Sequence, residues 1–222
     1  MPTTISTQLS IMILYITGTI FLFSAVVAEY CPVQDRITPC ECILIEEGIS
    51  VECKGQGNIE RIPSVIQNLE NPENMELVLE SLTLPVSSSF FKDVSSLHLR
   101  NAHIENLKTN STFVWPKLSE VQIEASSIAG KRLPYFKEAN LLTHFEISKV
   151  DISTIGSDFQ GSIPDTLTYL AIRKTKTTVL ESQALGNLKN LQYFFMIDLP
   201  LDEFPRDALP QDLPDLYTFI LV

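Results

Sequence analysis

Cations are scarce in this chain: 16 Lys and Arg stand against 27 Asp and Glu, a formal net charge of −11 at pH 7. A phosphate backbone is gripped by clustered Lys and Arg, so no nucleic-acid partner is expected and an anionic membrane surface is a poor one. The acidity serves solubility. Motifs that carry chemistry are also missing: no nucleophile elbow, phosphate loop, dinucleotide fingerprint or zinc helix motif occurs. No cysteine follows Cys53, and no Asp, Glu, Lys or Arg occurs in residues 1–28.

That uncharged start is apolar from Ile11 to Val27, with Val26 and Ala28 at the small-residue positions before a cut. It reads as a secretory signal peptide over 1–28 without a basic n-region. The rival is an uncleaved anchor, because these 17 residues can just span a bilayer. All four cysteines follow at once, as Cys31, Cys40, Cys42 and Cys53. An even cluster behind an export signal points to two disulfides in an oxidising compartment, and the spacing alone leaves three pairings open. A zinc site needs thiolates kept reduced, which export disfavours.

Beyond the cysteines the chain repeats. Seven apolar pairs, Leu77/Leu79, Leu97/Leu99, Val121/Ile123, Phe145/Ile147, Leu170/Ile172, Phe194/Met196 and Phe219/Leu221, recur at intervals of 20, 24, 24, 25, 24 and 25 residues. Such a period predicts a solenoid whose units bury their apolar faces only by stacking. Each unit reads apolar-x-x-apolar-x-apolar, as in Leu118-x-x-Val121-x-Ile123. The period of two predicts a short strand with one side inward, and successive strands lying parallel about 4.8 Å apart. The connecting segments hold turn formers and one large apolar anchor each: Phe91, Phe113, Phe136, Phe159, Leu185 and Leu209. None carries a three-turn amphipathic stripe, so short helical turns or extended strands are expected there.

Over residues 74–222 this pattern resembles the extracellular leucine-rich repeat family. The implied fold is a curved parallel β-sheet on the concave side, with irregular turns or short helices on the convex side. That family places Asn three residues after the last apolar residue of the strand. The matching positions here are Leu82, Ala102, Ser126, Val150, Thr175 and Leu199, of which only Ser126 and Thr175 can supply part of that hydrogen bonding. The other turns must satisfy their backbone through neighbouring chain or water. Residues 29–73 resemble the family's cysteine-rich N-terminal cap, including Ser50-Val51-Glu52-Cys53-Lys54 and Ile59-x-x-Ile62-Pro63. The resemblance implies disulfides Cys31–Cys42 and Cys40–Cys53. A cap covers the apolar rim that an end unit leaves bare. Near the other end, Leu216-x-x-Phe219-x-Leu221 begins a seventh strand close to Val222, and further units beyond it are expected.

Residues alternating with the core apolars face outward. The C-terminal half of that face carries Tyr169, Tyr193 and Phe195 beside Arg173, the composition of an interaction hot spot. The N-terminal half is acidic and polar, with Glu120, Glu124 and Glu146 in the middle. These seven residues form the candidate protein-binding set. Asn110-Ser111-Thr112 is an N-glycosylation sequon.

The three histidines, His98, His103 and His144, read as ordinary surface side chains; the strands of His98 and His144 are two steps apart, roughly 10 Å, too far for one zinc. Carboxylates on a solvated sheet lack the enclosure that tunes pKa values for acid–base work. The expectation is a non-catalytic, secreted leucine-rich repeat protein with no cofactor and no metal, which binds another secreted or cell-surface protein through its concave face. The ectodomain of a membrane receptor is an alternative, and would carry a span of about 20 apolar residues beyond Val222. A second alternative is an accessory subunit or inhibitor of a secreted enzyme. The sparse-Asn repeats and cap wording are similar to arthropod secreted members of the family, some of which are non-catalytic subunits.

Overall fold

A computed structural model describes residues 31–222, apart from 33, 56–60, 68, 70–73, 85–87, 105–114 and 130–132. The expected leader, the sequon at Asn110 and the anchor Phe113 lie outside the described residues.

The chain winds as a β-solenoid of parallel strands. Its main sheet has nine strands: β1 (Cys40–Ile45), β2 (Gly48–Lys54), β3 (Met75–Glu80), β5 (Ser96–Arg100), β7 (Glu120–Glu124), β9 (His144–Ser148), β11 (Tyr169–Arg173), β13 (Tyr193–Ile197) and β14 (Thr218–Leu221). All neighbours pair parallel except β1 and β2, which form an antiparallel hairpin. Two-residue strands β4 (Thr83–Leu84), β6 (His103–Ile104) and β8 (Ser127–Ile128) make a second small sheet; β10 (Thr154–Ile155) and β12 (Val179–Leu180) make a third. Among the described residues helix occurs only as short pieces, α1 (Gln34–Ile37), α2 (Ile62–Gln67) and α3 (Ser157–Ser162), and a 3-10 segment at Ser88–Asp93. Among the described residues no helix is long and apolar enough to cross a membrane.

The alternation read from the sequence sets the register. Leu97, Val121, Phe145, Leu170 and Phe194 are direct partners across the sheet, as are Leu99, Ile123, Ile147, Ile172 and Met196. Every one of these is at most 3% exposed and belongs to one continuous core. Side chains of this size each contribute about 1.5–3 kcal/mol on burial. Phe91, Phe136, Phe159 and Leu185 fill the far side as expected. Trp115 joins them, its ring 4.9 Å from Phe91 and 5.4 Å from Phe136, and Phe136 continues to Phe145 at 5.8 Å. An aromatic spine thus runs through the interior across four coils.

How the coils turn without Asn is resolved by backbone and hydroxyl groups. In the main sheet, the residue after each strand from β2 to β13 is left-handed: Ser81, Asn101, Ala125, Lys149, Lys174 and Asp198 have φ between 48° and 57°, and Gly55 after β2 has φ 87°. From Gly55 to Lys174, each of these donates its N–H to the carbonyl of the residue closing the next strand, as in Ala125 to Ser148 at 2.9 Å and Lys174 to Ile197 at 2.9 Å; Asp198 donates to Val222 at 2.8 Å, one residue past β14. One such bond per coil offsets a backbone conformation that costs an L-residue about 1–2 kcal/mol. At the Asn positions, Leu82, Ala102 and Val150 are simply core, 1–2% exposed. Their turns bond to the adjoining coil: His103 N–H donates to the Leu82 carbonyl and Ser127 N–H to that of Ala102. Ser126 Oγ accepts from Ala102 N–H at 3.1 Å, and the Thr175 and Thr177 hydroxyls bond each other at 2.8 Å, Thr177 also donating to the Ile152 carbonyl. A second hydroxyl row, Ser95, Ser119, Thr143 and Thr168, precedes the strands and donates to carbonyls one coil back.

At the N-terminal end, disulfides join Cys31 to Cys42 and Cys40 to Cys53. The second ties β1 to β2 across directly paired residues. Cys40 and Cys53 are fully buried and close the core at that rim.

Candidate binding face

The side of the main sheet turned away from the core carries three rows of side chains, each running across the strands. One row is Glu76, Ser96, Glu120, His144, Tyr169, Tyr193 and Thr218; the middle row is Val78, His98, Gln122, Glu146, Ala171, Phe195 and Ile220; the third runs from Glu80 through Arg100, Glu124, Ser148 and Arg173 to Ile197. Two residues of these rows are buried nonetheless. Ala171 lies flush between Glu146 and Phe195, and Val78 is 4% exposed beside His98.

Four of the seven expected binding residues form one cluster on β11 and β13. Tyr169 is 5.4 Å from Phe195 and 6.4 Å from Tyr193 by ring centroids. Arg173 is held from three sides: its terminal nitrogen donates to the Tyr169 hydroxyl at 3.0 Å, its guanidinium sits 5.7 Å above the Phe195 ring, and Glu146 Oε1 is 3.6 Å from its Nε. A cation fixed in this way loses little rotamer freedom when a partner arrives. Glu146 thereby belongs to the cluster. Glu124 does not, for it pairs with Lys149 at 2.8 Å in the third row, and that hydrogen bond holds its carboxyl below the ordinary value.

No protein-family model and no curated protein matches this chain. The chemistry of the face is therefore read from its own side chains.

Glu120 anchors a second group, which reaches the aromatics through His144. Its carboxylate accepts from the Gln122 amide at 2.7 Å, and the same oxygen lies 3.8 Å from His98 Nε2 and 3.9 Å from His144 Nε2. The close His98 imidazole, helped by the Gln122 hydrogen bond and the charge of both imidazoles, outweighs burial and holds the Glu120 carboxyl down at about 2. His98 is also 3.1 Å from Glu76 through Nδ1 and 3.1 Å from Ser96 Oγ through Nε2. His144 lies flat on Tyr169, centroids 3.8 Å apart and planes within 8°. Burial under that ring lowers its pKa, overriding the pull of Glu120 and Glu146. Burial likewise raises that of Tyr169.

His98 departs from the sequence expectation. Only 12% of its side chain is exposed, so it is a packed link between two carboxylates rather than a surface histidine. His103, by contrast, is exposed and bonds Ser127 Oγ at 2.6 Å. Tyr217 was not foreseen either: it stands 72% exposed with its ring 6.2 Å from Tyr193, and it lengthens the aromatic row by one coil. It lies one residue before β14, outside the alternation that picks out face residues. His144 and Glu76 did fall on the outward positions; His144 precedes Tyr169 by one 25-residue repeat, and Glu76 stands in the same row four strands back, where the first interval is 20 residues.

Proposed function

We propose that the protein is a secreted leucine-rich repeat protein of non-catalytic type, which binds another protein through the outer, concave face of its sheet. The observation that carries the reading is the cluster of Tyr169, Tyr193 and Phe195 around a pre-positioned Arg173. Aromatic residues and Arg dominate interface energetics because they bury large areas at modest conformational cost. A group that is neither core nor capped, spread over adjoining strands, has the composition of a docking surface.

The repeat type is supported by the 24–25-residue coil, the left-handed exit after each strand and the interlaced disulfides of the cap. Two disulfides in the cap also support an oxidising, extracellular setting. The test is affinity capture from the fluid or cell surface of the source tissue, comparing the native chain with a Tyr169→Ala, Tyr193→Ala, Phe195→Ala variant. Loss of the captured protein at unchanged melting temperature supports the reading; equal capture overturns it.

A further inference from the structure

The charges of the outer face are unevenly matched. Of its glutamates, Glu52 and Glu80 share Lys54, Glu124 has Lys149 and Glu146 has Arg173. Among the described residues Glu76 and Glu120 have no Lys or Arg beside them and lean on histidines alone. Both belong to the row that continues into His144, Tyr169 and Tyr193. One line across the sheet therefore runs from uncompensated carboxylate to aromatic platform.

The spacing along that line is fixed by strand separation. Glu120 on β7 and Tyr193 on β13 are three strands apart, about 14 Å at 4.8 Å per strand, which an extended chain covers in about four residues. Resting on the docking function proposed above, we propose that the face receives an extended segment of the partner protein laid along this row. An aromatic or aliphatic side chain of the segment packs on Tyr169, Tyr193 and Phe195, and an Arg or Lys about four residues away sits over Glu120. The partner is thus a basic, apolar polypeptide stretch, complementary to a face and a whole chain of negative charge.

The test uses the disulfide-bonded chain at pH 7.4 and synthetic Gly/Ser peptides, followed by amide shifts of β7 to β13 in nuclear magnetic resonance. One peptide carries Trp and Arg four residues apart and is made in both chain directions; a second replaces Arg by Glu; a third places Trp and Arg side by side. The spaced Trp/Arg peptide, in at least one direction, should bind about tenfold more tightly than its Glu counterpart, as expected when one exposed ion pair becomes a repulsion. Glu120→Gln should remove most of that difference. The proposal is overturned if the spaced Arg peptide does not bind, if the Glu or adjacent peptides bind as well, or if Glu120→Gln leaves the preference intact. Arg-insensitive binding that still disappears with the Tyr169, Tyr193 and Phe195 triple variant sinks only the partner chemistry and leaves the docking face standing. Binding unaffected by that triple variant removes both.

Discussion

Replacing the left-handed exit residues by glycine should stabilise the solenoid. Ala125 and Lys174 are the cleanest positions, exposed side chains at φ 48° and 52° whose structural bond is made by the backbone N–H that glycine keeps. An L-residue in this region costs about 1 kcal/mol or more, and glycine returns about 0.5 kcal/mol of that through the added freedom of the unfolded chain. The net gain is about 0.5 kcal/mol per site, or about 1 kcal/mol for the Ala125→Gly, Lys174→Gly pair, worth roughly 2–4 °C in melting temperature for a chain of this size. Ala125→Val supplies the opposite sign, because a branched Cβ is least tolerated at positive φ; it should lower the melt by a similar or larger amount. Calorimetry on the three variants with disulfides intact is sufficient. A glycine pair less stable than the parent, or a neutral Ala125→Val, would refute the claim that these turns hold strain against an inter-coil hydrogen bond.

Acid should weaken the fold through Glu120. Its folded pKa of about 2 lies below the ordinary 4.5, so its contribution is complete above pH 4.5 and is lost as pH falls towards 2; with its side chain a third exposed, solvent screening reduces that contribution to about 1–2 kcal/mol. Carboxyl titration by nuclear magnetic resonance should find Glu120 protonating well below 4.5, and His98→Gln should move it back towards 4.5. Phe145→Ala, in the middle of the core, should cost about 3–5 kcal/mol in urea denaturation; a loss below 1 kcal/mol would contradict the packing described here. Converting Cys40 and Cys53 to Ser opens a link between residues 13 apart and should cost about 3 kcal/mol, with amide protection lost first in β1 and β2.

Much of the fold was legible because its signal repeats. Leu99, Ile123, Ile147 and Ile172 each occupy an ambiguous apolar position, yet their common spacing made a shared interior the only consistent reading, and all are buried in one core. The exit turns were not legible. Ser81, Asn101, Ala125, Lys149, Lys174 and Asp198 share a backbone angle but no chemistry, so nothing in their side chains announces it. Trp115 was overlooked because the connecting segments vary in length, and only packing decides which of their aromatics points inward. The candidate face was readable one residue at a time through the alternation. What joined its parts was not, since Glu120 meets His98 and His144 across three different strands. Burial of His98 depends on the reach of Glu76 and Glu120 from either side, a relation between coils that no single stretch of sequence contains.

The hairpin of β1 and β2 gives the molecule a direction. Because β1 runs opposite to every other strand of the main sheet and is stapled to β2 by Cys40–Cys53, a coil wound in the common sense would meet it antiparallel, with a different hydrogen-bond pattern from the one repeated along the rest of the sheet. The parallel register that stacks coil on coil is offered by β14, at the opposite edge.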